Sequence, residues 1–140
     1  MDPKHDAALK THFLALVSVQ ALHSLEEYVF QLWTSFPPAT FLTGLVSSNL
    51  EVGFLVINVS LVLFGLACYW WPIRKGWSSA VALAWLWVVI EAINGIGHPV
   101  WAVLQRGYTP GLLTALILLP LSLLLARRLM APDERNVETT

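Results

Sequence analysis

The stretch LEVGFLVINVSLVLFGLACYWWP, residues 50–72, decides the class of fold. Its sole charged residue is Glu51, and it exceeds the roughly 20 helical residues that cross the hydrocarbon core of a bilayer. The whole chain has the same character, because 56% of its 140 residues are hydrophobic and 12% are charged, against roughly 25% charged residues in a soluble domain. With a net charge of −1, the chain also lacks the basic surface that a nucleic-acid partner requires. These values exclude a soluble enzyme, a disordered chain and a nucleic-acid binder, and they predict an integral membrane protein.

Similar apolar segments recur along the chain, and all are rich in Leu, Ala and Val. They lack the period-2 alternation of membrane strands, so each is predicted as a transmembrane helix. The predicted spans cover residues 11–33, 50–72, 77–101 and 109–130. We therefore predict an all-α fold, an integral membrane four-helix bundle over residues 11–130. An N-terminal segment, residues 1–10, precedes the bundle, and a polar tail, residues 131–140, follows it.

The basic residues predict the orientation of these helices. With both termini in the cytoplasm, seven of the eight Lys and Arg residues face inwards, and Arg106 alone faces outwards. This bias predicts a multi-pass protein of the plasma (inner) membrane with cytoplasmic N- and C-termini. The connection at residues 34–49 carries no charge and contains Pro37-Pro38, so we expect an interfacial or re-entrant segment there.

Apart from Arg127 and Arg128 at the inner end of the last span, four charged residues fall inside the predicted spans, and all four are carboxylates. They are Glu26, Glu27, Glu51 and Glu91. His23 and His98 also lie in these segments, and His12 lies near the cytoplasmic edge of the first. An unpaired carboxylate in hydrocarbon costs several kcal/mol, so such residues are candidates for function.

Helical spacing gathers these polar residues into two groups. His23 and Glu26–Glu27 share one face of the first span, and Glu91, Asn94 and His98 share one face of the third. At a rise of about 1.5 Å per residue, both groups lie at the same depth in parallel helices. We expect four side chains to converge on one cavity in the outer half of the bundle, namely those of His23, Glu27, Glu91 and His98. Glu26 and Asn94 should lie at the edge of this cavity. The fourth span, which offers Thr109, Thr114 and Ser122, is expected to face lipid.

These carboxylates cannot all stay ionised in a medium of low dielectric constant, so either protons or a divalent metal must neutralise them. Imidazoles and carboxylates are good ligands for zinc, iron or manganese. The candidate metal ligands are His23, Glu26, Glu27, Glu91 and His98. The candidate catalytic groups are His23, Glu27 and Glu91. Further candidate binding residues are Asn94, Asn58, Glu51 and Trp87. The alternative is a hydrogen-bonded network that holds the helices together.

The run His23-Ser24-Leu25-Glu26-Glu27 reads H-x-x-E-E. Together with the later Glu91 and His98, it resembles the HXXEE-domain family of small bacterial membrane proteins over about residues 11–130. The resemblance implies that the His and Glu residues are the hallmark of the family and that an enzymatic activity is suspected.

Three functions are compatible with this pattern. The first is a membrane enzyme whose His/Glu cluster acts as a metal site or as general acid and base on a small lipophilic substrate. The second is a proton- or ion-coupled transporter, although the inner half of the predicted bundle holds few polar groups for a relay. The third is a binding or accessory protein, such as a ligand or metal carrier. A homodimer is compatible with each, because four spans bury little surface.

Overall fold

A computed structural model describes the backbone of residues 3–131 and the side chains of residues 7–131. Six α-helices and no strand occur among the described residues: α1 (Pro3–Val29), α2 (Leu32–Ser35), α3 (Pro37–Val46), α4 (Leu50–Cys68), α5 (Ala80–Gln105) and α6 (Leu112–Met130). A π-helical turn, Tyr69–Ile73, extends α4. The predicted polar tail beyond Ala131 and the start of the predicted N-terminal segment lie outside the described residues.

Three helical stretches of the described chain are long and apolar enough to cross a membrane: Leu50–Ile73, α5 and α6. Large apolar side chains on these helices point away from the protein, and Leu63, Ile93, Val103 and Leu113 are 60–76% exposed. Exposed apolar area on this scale is unfavourable in water and marks a surface that meets lipid or a partner. The prediction of a membrane protein built from helices agrees with these features. Helix α1 is long enough but less apolar, because it carries Gln20, His23 and Glu26–Glu27.

The connection between the first two long helices is itself helical. The backbone at Gln31 adopts a left-handed conformation with φ of 53°, which ends α1 and turns the chain into α2. Trp33, expected at the end of the first span, lies in this short helix. Phe36 is extended, and the prolines that follow it begin α3, whose Phe41 and Leu45 are exposed. The uncharged connection thus forms two short helices with an apolar outer face.

Helix α6 packs against two other long helices, whereas its few polar residues predicted a wall that faces lipid. It packs against both α5 and α1, and α4 packs against α1 and α3. Gly95 allows α5 and α6 to approach closely, because a Cβ atom there would lie 2.6 Å from Cβ of Leu119 and 2.9 Å from its backbone. The main apolar core includes Phe13 and Trp87, and both side chains are fully buried. Because α6 touches α1 and α5 at once, it contributes residues to the site that these helices form.

Candidate functional site

Glu27 lies between two histidines that come from different helices. Its Oε1 atom lies 3.3 Å from Nε2 of His23, one turn earlier in α1, and 3.1 Å from Nε2 of His98 in α5. All three residues are buried, and each offers a ligand atom within 4.8 Å of the others. The imidazole rings meet edge to face at a centroid distance of 4.7 Å. We call this group the His–Glu–His cluster; its composition and distances allow it to hold a metal ion.

Gly111, at the start of α6, shapes the space around the two imidazoles. A Cβ atom at this position would lie 2.7 Å from Cε1 of His98 and 2.8 Å from Cε1 of His23. The backbone φ of Gly111 is 85°, a conformation that disfavours other residues. Both the conformation and the close approach therefore require glycine here.

The other motif glutamate, Glu26, faces the first turn of α6 and lies outside the His–Glu–His cluster. Its Oε1 atom accepts hydrogen bonds from the backbone N–H of Leu113 (3.0 Å) and from the Tyr108 hydroxyl (2.7 Å). Its Oε2 atom accepts from the backbone N–H of Thr114 (2.9 Å) and from the Thr114 hydroxyl (2.5 Å). Glu26 thus caps α6 from another helix and satisfies N–H groups that have no partner within α6. Desolvation and the hydrogen bond to Glu26 raise the pKa of Tyr108, so this phenol keeps its proton.

Thr114 connects the cap to the cluster. Its hydroxyl oxygen lies 2.8 Å from Nδ1 of His23 while the same hydroxyl contacts Glu26. Both glutamates of the motif therefore reach His23. Glu27 contacts its Nε2 atom directly, and Glu26 reaches its Nδ1 atom through Thr114.

Glu91 is fully buried beside this cluster, with polar partners of its own. The amide of Gln20 is placed with its nitrogen towards Glu91, because the reverse orientation would point the amide oxygen at the carboxylate. Gln20 Nε2 then donates to both carboxylate oxygens of Glu91, at 2.8 and 3.1 Å. Asn94 Nδ2 lies 3.4 Å from Oε2 of Glu91. Glu91 interacts electrostatically with Glu27, but it does not belong to the three-residue group.

The remaining candidate residues lie further from the cluster. Asn58 accepts a hydrogen bond from Ser24 at 2.8 Å, on the side of α1 that faces α4. Glu51, at the start of α4, accepts one from the Tyr28 hydroxyl at 2.7 Å and is exposed. Trp87 is fully buried in the apolar core, edge to face with Phe13.

Several residues of the site were missed by reasoning from the sequence. Gly111, Thr114, Tyr108 and Gln20 all contact the predicted site residues. A turn signal existed at Thr109-Pro110-Gly111, where a helix start offers free N–H groups to a carboxylate. Nothing in the sequence indicates that the carboxylate at this helix start is Glu26 rather than another.

The fold and the site together define a class, namely a helical protein with segments long and apolar enough to span a membrane and a buried group of two histidines and a glutamate. A family model described as "Protein of unknown function with HXXEE motif" matches residues 14–125, and the chain belongs to this family. His23, Glu26 and Glu27 occupy the lettered positions of the motif. No curated protein and no solved structure matches the chain.

Proposed function

We propose that this protein is a membrane-embedded enzyme in which His23, Glu27 and His98 hold a divalent metal ion. The observation that carries the proposal is the pair of distances from Glu27 to the two Nε2 atoms, 3.3 and 3.1 Å. In a tetrahedral zinc site with ligand bonds of about 2.0–2.1 Å, neighbouring ligand atoms are separated by roughly 3.3 Å. A charge-assisted N–H···O hydrogen bond is shorter, at about 2.7–2.9 Å. The spacing of these atoms therefore suits three ligands of one metal ion.

The charges around Glu27 support the same proposal. Among the described residues, its ion-pair partners are the two histidines, which are neutral unless protonated. A buried carboxylate without a cation is strongly disfavoured, and a divalent ion would neutralise it.

A metal ion with two histidines and one glutamate as ligands keeps a coordination position open. This ligand set is typical of catalytic rather than structural zinc sites. The open position would bind water or a carbonyl oxygen of a substrate, and the metal would activate either one. Glu91 is the second buried carboxylate of this interior and is proposed to accept or give the proton that such a reaction moves.

A groove between α1 and α4 supports a lipophilic substrate. It has a volume of about 410 Å³ and is lined mainly by apolar side chains such as Leu25, Phe54 and Val59. This volume lies within the range of about 300–1,000 Å³ that is usual for ligand sites. Ser24 and Asn58 also line the groove, and Ser24 lies 3.1 Å from the Gln20 amide that binds Glu91. Polar contacts thus lead from the groove towards the buried carboxylates.

The membrane arrangement completes the proposal. We propose that α1 is a fourth span, beside α4, α5 and α6, and that both termini are cytoplasmic in the plasma membrane, as the Lys and Arg distribution predicts. A reporter fused after Thr140 that is active in the periplasm would contradict this orientation.

Metal analysis of the full chain purified in detergent tests the metal site. We expect about one zinc, iron or manganese ion per chain, and Co²⁺ reconstitution should give the visible absorption of a tetrahedral site. Loss of a residue that hydrogen-bonds to a metal ligand typically weakens metal binding by roughly 10–100-fold. His23→Ala and His98→Ala remove the ligands themselves and should weaken metal binding by more than this. Glu51→Gln, which removes a carboxylate outside the cluster, is the matched control and should bind normally.

Two results would count against the proposal. Protein that holds no metal after gentle purification, and that melts identically with and without chelator, would favour protons as the neutralising cations. The second result concerns protein that binds metal and is incubated with membrane lipids in H₂¹⁸O. If wild type incorporates no more ¹⁸O into the lipids than Glu27→Gln does, the result would favour a metal carrier over a hydrolytic enzyme.

A further inference from the structure

We infer that Glu26, acting through Thr114, holds His23 in the tautomer that carries its proton on Nδ1, so that the Nε2 lone pair points into the His–Glu–His cluster. Glu26 and Thr114 are positioning residues in this inference. The consequence of this tautomer for metal binding rests on the proposed function. The tautomer itself can be measured without any metal.

The hydrogen bonds around Glu26 favour an ionised carboxylate. Two backbone N–H groups, those of Leu113 and Thr114, point at it, and a backbone amide can only donate. The Tyr108 hydroxyl adds a third donor at 2.7 Å. The start of α6 also places the positive end of the helix dipole against this side chain. Glu26 is therefore an acceptor on both oxygens.

The Thr114 hydroxyl transmits this constraint because it has one proton to give. Its oxygen lies 2.5 Å from Oε2 of Glu26, a separation typical of an O–H donating to a carboxylate. The Gly111 carbonyl oxygen is a more distant acceptor, 3.3 Å from the hydroxyl, so the short contact to Glu26 takes the proton. The hydroxyl can then only accept at Nδ1 of His23, 2.8 Å away. His23 must therefore donate from Nδ1.

The consequence appears at the other ring nitrogen. When the imidazole is neutral with its proton on Nδ1, Nε2 carries a lone pair. That lone pair lies 3.3 Å from Oε1 of Glu27, which is also an acceptor, and Nε2 has no hydrogen-bond partner among the described residues. Two acceptors at this distance repel each other unless a cation lies between them. The hydroxyl and carboxylate behind His23 thus prepare Nε2 to bind that cation.

The arrangement assigns different roles to the adjacent glutamates of the motif. Glu27 faces the cluster at Nε2, and Glu26 faces α6 and reaches the same histidine from behind. A variant at Glu26 would also remove the cap of α6, so Thr114 is the sharper position to change. Thr114→Val removes the hydroxyl but keeps the backbone N–H bonds to Glu26, and Thr114→Ser keeps both.

The test is ¹⁵N NMR of histidine-labelled, metal-free protein in detergent, at a pH where the imidazoles are neutral, with the His23→Gln spectrum as the assignment. We expect a protonated Nδ1 and an unprotonated Nε2 in wild type and in Thr114→Ser. In Thr114→Val the proton should move to Nε2, where it can bond to Glu27. Tyr108→Phe, which removes a donor to Glu26 but leaves Thr114 intact, is the control and should keep the wild-type tautomer.

Metal titration gives the second measurement. Thr114→Val should weaken Zn²⁺ binding by about 10–100-fold, and Thr114→Ser should restore it. Wild-type protein with the proton on Nε2 would overturn the inference, even if Thr114→Val failed to fold. An unchanged tautomer in folded Thr114→Val would also overturn it. The expected tautomers in a protein that binds no metal would support the inference and refute the proposed metal site.

Discussion

Replacing Gly111 by alanine should damage the site more than any other single-methyl addition in the chain. The new Cβ would lie 2.7 Å from Cε1 of His98 and 2.8 Å from Cε1 of His23, so both imidazoles would have to move. Overpacking of this kind costs about 1–3 kcal/mol. The left-handed backbone, with φ of 85°, adds about 1–2 kcal/mol for a residue with a Cβ. We therefore expect the free energy of unfolding to fall by roughly 2–5 kcal/mol, together with a loss of metal affinity.

Gly76 provides the matched control for this variant. It also has a positive φ, 65°, but a Cβ atom there would meet nothing within 4 Å. Gly76→Ala therefore carries the backbone cost alone, and its difference from Gly111→Ala measures the steric cost at the imidazoles. Equilibrium unfolding in mixed micelles and Zn²⁺ titration of both variants make the comparison. The reasoning fails if Gly111→Ala is no less stable than Gly76→Ala and binds metal equally well.

Three further outcomes are expected. Chelator should lower the melting temperature of wild type, because metal at 100 times its Kd contributes about 2.7 kcal/mol, and should leave His23→Ala unchanged; equal shifts would contradict a role for His23 as a ligand. Gly95→Ala should destabilise the α5–α6 contact by about 1–3 kcal/mol, whereas Gly97→Ala, which has free space, should be near neutral in the same unfolding assay. Val59→Trp should fill the α1–α4 groove and abolish co-purification of a lipophilic molecule, as read by native mass spectrometry. Ile93→Trp on an exposed face should retain it, and equal retention by both variants would exclude the groove as a ligand site.

The sequence was sufficient to predict the long helices and the meeting of His23, Glu27 and His98, whereas Glu26 and Glu91, also predicted as metal ligands, lie outside this group. Long apolar runs specify helices through their length alone, and α4, α5 and α6 follow the predicted spans within a few residues. His23 and Glu27 are four residues apart, so helix geometry places them on one face wherever the helix packs. The prediction that the group containing His98 lies at the depth of the His23 group rested on counting residues from the ends of two parallel helices. The structure brings these three residues together.

The different placements of Glu26 and Glu27 could not be predicted in the same way. Adjacent residues on a helix point about 100° apart, and a face broad enough for both does not reveal which neighbouring helix each one meets. The answer depends on α6, whose first turn offers N–H groups rather than a recognisable side-chain pattern. Backbone donors leave no trace in the sequence beyond the turn that precedes them. For that reason α6 seemed peripheral, although Gly111 and Thr114 both touch the site.

Helix α1 combines a modest overall hydropathy with a burial pattern that suits a bilayer. From Gln20 onwards its buried side chains are all polar, namely Gln20, His23, Ser24 and Glu27, whereas Leu22 and Leu25 are each 56% exposed. An amphipathic helix of a soluble protein has the opposite pattern, with apolar residues inside and polar residues outside. Polar groups inside and apolar groups outside are what a lipid environment selects, since hydrocarbon cannot hydrate a carboxylate. The residues that keep α1 from resembling a membrane span in composition are therefore those that form the site. Their burial supports the proposal that α1 is the fourth span.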